Sequence, residues 1–466
     1  MSSIPGLEAL ECEFSIPNDD TPNLSRWSDT QIGRPALITN PNSESDIQTA
    51  IQIAKDNDLT ILAAGGAHGT FVTVGSSTMY LDMKNFRTIE LNKDNETVRV
   101  GGGVTTGEVI KALAEEEYYT PVPNSDAVGF VGCILGGGNG VLSGLHGWMV
   151  DNVVSFRIIT ADGTAINASS DSQGEELELF NTLRGAGHGL GVITEVTVSI
   201  FPIAKLNMEN DKIWTRTFIF PALEIDIAIK TFLDLQHPSP EGFASMVFAG
   251  NAHGAPIIVL GYTFFGPAEK AEKDAAALFE KAIANKVIVG ATEYLSFISL
   301  NAKNEVYNSH GGHKAIASCR LTKTTASALR TSFDLWCSAT QDNPDASQTP
   351  LIMSAFNTSK SETFTNSSVE ARDRPLNAFA PVLAKTEEGN KAFMQALDKI
   401  IAGLREADEG VEARSFANNW RFETDIGEMF SEKAFERVKK VKQTWDERGL
   451  FWSPYFKNKS TRSHLR

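Results

Sequence analysis

The 466-residue sequence has only four cysteines, Cys12, Cys133, Cys319 and Cys337. They are too widely spread to form a disulfide framework. It also has no basic run: Lys+Arg 42 against Asp+Glu 58 gives a net charge of −16. That balance excludes a protein that tracks a nucleic-acid backbone and disfavours an anionic membrane surface. No apolar stretch approaches the roughly 20 residues needed to cross a bilayer. The opening MSSIPGLEALECEFSIPNDD has neither a basic nor a continuous apolar region, so the expectation is an intracellular, cytoplasmic protein with no signal peptide. In that setting the Asn-x-Ser/Thr triplets at Asn23, Asn95, Asn167, Asn357, Asn366 and Asn458 read as chance.

Two phosphate-binding signatures are missing as well. No glycine cluster completes G-x-G-x-x-G, because Ser143, Leu190 and Val192 stand where the third glycine would fall, and there is no G-x-x-x-x-G-K-[ST]. His310-Gly311-Gly312-His313 has a spacing at which metal ligands occur, but no Cys, Asp or Glu cluster accompanies it. The expectation is no metal and a loop near a substrate pocket.

What the chain does have is glycine in three stops between Ile61 and Pro202. These are Gly65-Gly66-Ala67-His68-Gly69, Gly136-Gly137-Gly138-Asn139-Gly140 and Gly185-Ala186-Gly187-His188-Gly189-Leu190-Gly191. Each follows an apolar run, where glycine serves positive φ or a close approach of the backbone. Three such stops suggest one large, flat, polyphosphorylated ligand, FAD, held by backbone amides of several loops and not by a Rossmann turn. His68, flanked by glycine, is placed to reach a planar ring; the bland alternative is a solvated histidine.

Periodicity predicts strands at 35–39, 60–64, 79–83, 88–91, 97–100, 153–160 and 192–201, and helices at 43–56, 106–117 and 177–183. Beyond Pro202 helical patterns at 268–284 and 391–406 alternate with strands at 255–262 and 351–356. An amphipathic helix follows at 431–444, then an aromatic extended tail. The order gives an α+β protein of two or three domains.

These residues together resemble the berberine-bridge-enzyme-like branch of the vanillyl-alcohol oxidase and p-cresol methylhydroxylase (PCMH-type) flavoprotein superfamily. The family's RGGGH loop corresponds to Ala64-Gly65-Gly66-Ala67-His68, and its TGxxGxxLGGGxG stretch runs from Val128 through Gly129, Gly132 and Gly136 to Gly140. GLxxDNV is matched by Gly147 to Val153, including Asp151 and Asn152, and TADG by Thr160 to Gly163. LFWALRGxGxxxGVVTE is matched by Leu179 to Glu195, including Gly187, Gly191 and Val192, and the C-terminal FxxPQ strand by Phe451 to Pro454.

The resemblance implies a two-lobed PCMH-type FAD-binding domain over 31–204, with a break near 104. An arm (1–30) precedes it. An α+β substrate domain with an antiparallel sheet (205–430) follows, and a segment (431–466) returns to the FAD domain. It further implies FAD joined covalently through His68, with the residues named above around the cofactor. Ser125 stands where some members carry a second, cysteinyl link, so one bond is expected, and Cys133 reads as a buried thiol. Ala64 replaces an arginine. The family's Tyr-x-Asn-Tyr becomes Phe416-Ala417-Asn418-Asn419-Trp420, which leaves the base unassigned, with Tyr307, His310, His313 and Tyr455 as candidates.

The implied activity is an FAD-dependent oxidase that takes hydride from an alcohol, amine or activated C–H of a small secondary metabolite or sugar. Dioxygen would be reduced to hydrogen peroxide, and the chain would act as a monomer or homodimer. The alternatives are a flavoprotein-fold cyclase in natural-product biosynthesis and a flavin-free binding scaffold.

Overall fold

The computed structural model describes residues 4–456; Asn458 and the outer ends of the expected arm and C-terminal segment lie outside it. The first sheet holds β1 (Glu13–Ser15), β2 (Leu37–Asn40), β3 (Thr60–Ala64) and β4 (Thr78–Asp82) in the order β1-β2-β4-β3. β2 and β3 both run parallel to β4. The crossover is the helix Glu44–Asp56, closed at its start by a capping box in which Ser43 accepts from the Asp46 amide. Its Ile47, Ile51 and Ala54 are buried against the sheet, as the 3.6-residue period requires.

The second sheet is antiparallel and includes β5 (Ile89–Asn92) and β6 (Thr97–Gly101). A short β7 (Tyr118–Tyr119) lies outside it, and β8 (Val153–Ile159), β9 (Ala165–Ser169) and β10 (Val192–Ser199) complete it. The order is β5-β6-β10-β8-β9, and β11 (Phe201–Pro202) pairs with β7. The chain passes from the first sheet to the second between Asp82 and Ile89, not near residue 104. The reason is that the β5–β6 hairpin is already committed to β10.

The third sheet has seven antiparallel strands: β12 (Ile213–Pro221), β13 (Gly242–Gly250), β14 (Pro256–Phe264), β15 (Val289–Leu295), β16 (His313–Leu321), β17 (Leu351–Phe356) and β18 (Leu376–Ala384). They run in the order β15-β12-β14-β13-β17-β18-β16. Alternation along each strand gives the sheet two unlike faces. Met353, Ala355, Leu376, Ala378, Cys319 and Leu321 pack under the helices Ala326–Asp342 and Glu387–Ala407, in one core with Phe333, Trp336, Phe393 and Leu397. The opposite face is left for the glycine loops.

The single helix expected over 268–284 is broken into Ala268–Asp274, a 3-10 turn Ala276–Phe279 and Lys281–Ala284. Its buried positions explain the break. Ala271, Ala275 and Leu278 keep helical spacing, but the next buried residue, Ile283, comes five residues later, which one continuous helix cannot bring to the same side.

The C-terminal tail returns to the first sheet. Ile61 donates its amide to the Leu450 carbonyl and accepts from the Trp452 amide, both at 2.8 Å. The turn is held by the buried pair of Lys442 and Asp446. Lys442 Nζ donates to the carbonyls of Gly189 and Phe451, and Asp446 accepts from the amides of Leu450 and Phe451. The third glycine stop and the tail are thus fixed by one buried ammonium.

Candidate cofactor and substrate site

One cavity of about 350 Å³ lies between the glycine loops and the free face of the third sheet. Of the residues expected around a cofactor, it brings together Gly65, Gly66, Ala67, His68, Gly69, Ser125, Gly129, Gly132, Asn139, Gly140 and Gly191. The glycines of the first stop do not owe their place to positive φ; the residue with φ 52° there is Ala67. Gly65 and Gly66 are needed because backbones meet, whereas a Cβ on Gly69 would meet the Phe71 ring. A Cβ on Gly66 would lie 2.7 Å from Gly129 Cα and 3.0 Å from the Ala127 carbonyl. Gly132, by contrast, has nothing within 4 Å of a Cβ and opens onto the cavity.

Gly136, Gly137, Gly138, Gly187, Asp151, Asn152, Val153 and Val192 do not line it. Their work is internal. Gly136 makes room for Asn418, Gly137 for Trp148, Gly138 for Met149, and Gly187 for Leu135. Asp151 is spent on Arg372, with both carboxylate oxygens at 2.7 Å. Asn152 donates to the carbonyls of His146 and Trp148. Val153 and Val192 are buried core residues.

His68 sits on the wall, stacked on Trp27 with ring centroids 4.7 Å apart and planes 20° off parallel. Its Nε2 is buried without a hydrogen-bond partner. Burial first, then the nearby positive charges of His310, Lys314 and Arg26, push its pKa down to about 3, so the ring is neutral at physiological pH. Trp27 belongs to the N-terminal arm. Its Nε1 donates to the Tyr307 carbonyl at 2.6 Å, and Arg26 donates to Tyr80 Oη and the Gly69 carbonyl. No periodic pattern marks either residue, so only their position in a tertiary strap reveals them.

That strap also explains His310-Gly311-Gly312-His313. The Gly311 amide donates to the Arg26 carbonyl, the Asp29 amide to the Gly312 carbonyl, and the Gly312 amide to Asp29 Oδ2. His310 Nδ1 shares a hydrogen bond with Ser25 Oγ at 3.0 Å. The loop clasps the arm; it does not line the cavity. Among the described residues no group of three His, Cys, Asp or Glu could hold a metal ion.

Of the four candidate bases only Tyr307 reaches the cavity wall, and burial raises its phenol pKa. Tyr455 is enclosed, edge-on to Phe430, and His313 opens β16 away from the wall. Among the described residues no Asp, Glu or Lys lines the cavity. Its titratable groups are Arg26, His68, Cys133, His188, Tyr307 and Arg320. Burial pushes the Cys133 thiol up to about 12. Asn418, opaque in sequence, donates to the Cys133 carbonyl and pairs with His188 Nε2 at 3.2 Å.

His188 and His146 are both held near pKa 4, by burial above all. An unfolded histidine titrates near 6.5. Between about pH 6.5 and 4 the unfolded chain therefore binds protons that the native chain refuses. Stability is full above that window and falls as pH falls through it. We expect the melting temperature to drop by about 5–10 °C from pH 7 to pH 4.5. His188→Gln, which keeps a donor toward Asn418, should lose less across the same interval; an equal loss in both proteins counts against His188 as a source.

The glycine-loop backbones form one wall of the cavity, His68 offers a neutral, unpartnered ring nitrogen there, and the free sheet face supplies a mostly apolar opposite wall, an arrangement that fits a flat ring. Residues 35–169 match the family described as FAD binding domain. The chain is 25% identical over 478 residues to FAD-linked oxidoreductase hasG of Aspergillus fumigatus, covering 97% of this chain and 98% of that one. Physcomitrella patens BBE-like 1 has the same fold, with TM-score 0.82 at 17% identity over 96% of this chain and 97% of that chain. So does 6-hydroxy-D-nicotine oxidase from Arthrobacter nicotinovorans, with TM-score 0.80 at 22% identity over 96% and 98%.

Proposed function

We propose that this chain, which matches the FAD binding domain over residues 35–169 and shares the fold of Physcomitrella patens BBE-like 1, is an FAD-dependent oxidase whose FAD is joined to His68. The observation that carries this reading is the buried, unpartnered Nε2 of His68 in the glycine loop that lines the cavity. FAD supplies hydride acceptance from a small-molecule substrate and reoxidation by dioxygen. The protein's part is to hold and to orient. Gly65 to Gly69, Gly129, Gly132 and Gly140 would bed the cofactor. Phe243, Ile352, Phe356, Phe379 and Phe416 would exclude water from the substrate side.

Tyr307, a phenol that is protonated at neutral pH and that burial keeps so to still higher pH, would donate a hydrogen bond to the substrate. Among the described residues no carboxylate stands on the wall, so this reading assigns no Asp or Glu as general base. That same feature supports a second reading, a cyclase that folds its substrate without net oxidation.

Anaerobic mixing with substrate separates the two. We expect the flavin absorbance to bleach as substrate is consumed, and to return on admission of air with peroxide formed. Substrate turned into a cyclic product while the flavin stays oxidised would replace the oxidase with the cyclase.

A further inference from the structure

The free face of the third sheet carries one polar row among apolar neighbours. Arg320 on β16 stands opposite Asn377 on β18, and Asn377 opposite Ser354 on β17; all three line the cavity. With strands about 4.8 Å apart, the row spans about 10 Å. Ile352, Phe356 and Phe379 flank it on the same face.

Arg320 is only 3% exposed. One guanidinium nitrogen donates to the Arg374 carbonyl at 2.7 Å, while Nε has no partner. Among the described residues no carboxylate lies within ion-pair distance of it. Asp373, whose charge favours the protonated form, is exposed and pairs with Arg374. The guanidinium lies 4.8 Å from the Phe356 ring and 5.1 Å from the Trp148 ring. These rings soften the cost of burying a cation but do not neutralise it. Burial lowers the pKa of Arg320 to about 9, so it keeps its charge at pH 7. In the same row Asn377 Oδ1 has no donor.

We propose that Arg320 is the anchor for a substrate carboxylate, and that the enzyme acts on flat, mostly apolar carboxylic acids. A planar carboxylate matches the guanidinium fork and supplies the missing counter-charge. A hydroxyl or N–H beside it on the substrate would meet Asn377 Oδ1. Apolar rings would lie along Ile352, Phe356 and Phe379. This rests on the substrate site proposed above and adds its chemical class.

The test titrates FAD-loaded enzyme with sodium benzoate and, separately, with benzamide, following the flavin difference spectrum and binding heat. The pair share shape and differ in charge. In the wild type benzoate is expected to bind about 30-fold or more tighter than benzamide. Arg320→Gln should weaken benzoate about 100-fold, leave benzamide within about threefold, and keep full flavin content; Arg320→Lys should fall between. Equal affinities in the wild type, or no benzoate binding at all, would overturn the proposal. So would an Arg320→Gln protein that loses or perturbs its flavin while keeping the benzoate preference, since Arg320 would then serve the cofactor. If Arg320→Gln does not fold, the wild-type comparison alone decides. Failure of the oxidase reading looks different: a flavin that substrate does not bleach, with the benzoate preference intact.

Discussion

Asp151→Ala is expected to cost about 3–5 kcal/mol of folding stability, a large share of what holds a domain folded. Asp151 takes two 2.7 Å hydrogen bonds from Arg372 and a third, at 2.8 Å, from the Trp148 amide. Its side chain is 0% exposed and that of Arg372 is 9% exposed. Arg372 also reaches the Ser361 carbonyl and Ser367 Oγ, so the pair ties the turn after the second glycine stop to the loop between β17 and β18. Removing the carboxylate leaves a buried guanidinium with no counter-charge, which costs far more than the pair itself contributes. Calorimetry and urea unfolding of the soluble fraction measure the loss; a change below about 1 kcal/mol would mean that water reaches Arg372.

The second large effect is steric. Gly66→Val should destabilise the protein by upwards of about 3 kcal/mol and lower its flavin content sharply. The added Cβ would meet the backbone of Gly129 and the Ala127 carbonyl, and no rotamer change relieves a clash between backbones. Gly129 answers in kind, since its own Cβ would lie 2.5 Å from the Gly66 amide nitrogen. The two loops must separate, and with them the bed of the cavity. Thermal melting and flavin per chain are the readouts; wild-type values in both would show that the loops are not in register as described.

Much of the FAD-binding half was legible because local signals govern it. The helix expected from residue 43, the strand expected from residue 192 and the loops at the glycine stops stand where the pattern put them. Their purpose was only half legible. Gly136, Gly137 and Gly138 are spaced like cofactor glycines, yet they make room for Asn418, Trp148 and Met149, partners that no spacing reveals.

The substrate side was less readable for a related reason. Arg320, Asn377 and Ser354 sit far apart in sequence and become one row only through antiparallel register. A single buried arginine in an otherwise ordinary strand carries no local signature. Trp27 and Arg26 were hidden because a strap has no period. The His-Gly-Gly-His loop was expected beside a pocket, but its amides and carbonyls are occupied by the arm.

The most direct test of a flavin joined to His68 is an absorbance spectrum of the purified protein before and after acid precipitation, run beside His68→Ala. The account expects a yellow wild-type pellet with flavin bands and, for His68→Ala, a colourless pellet under a yellow supernatant. Flavin retained in the His68→Ala pellet would place the bond elsewhere, and a wild-type protein that yields no flavin at all would contradict the cofactor site itself.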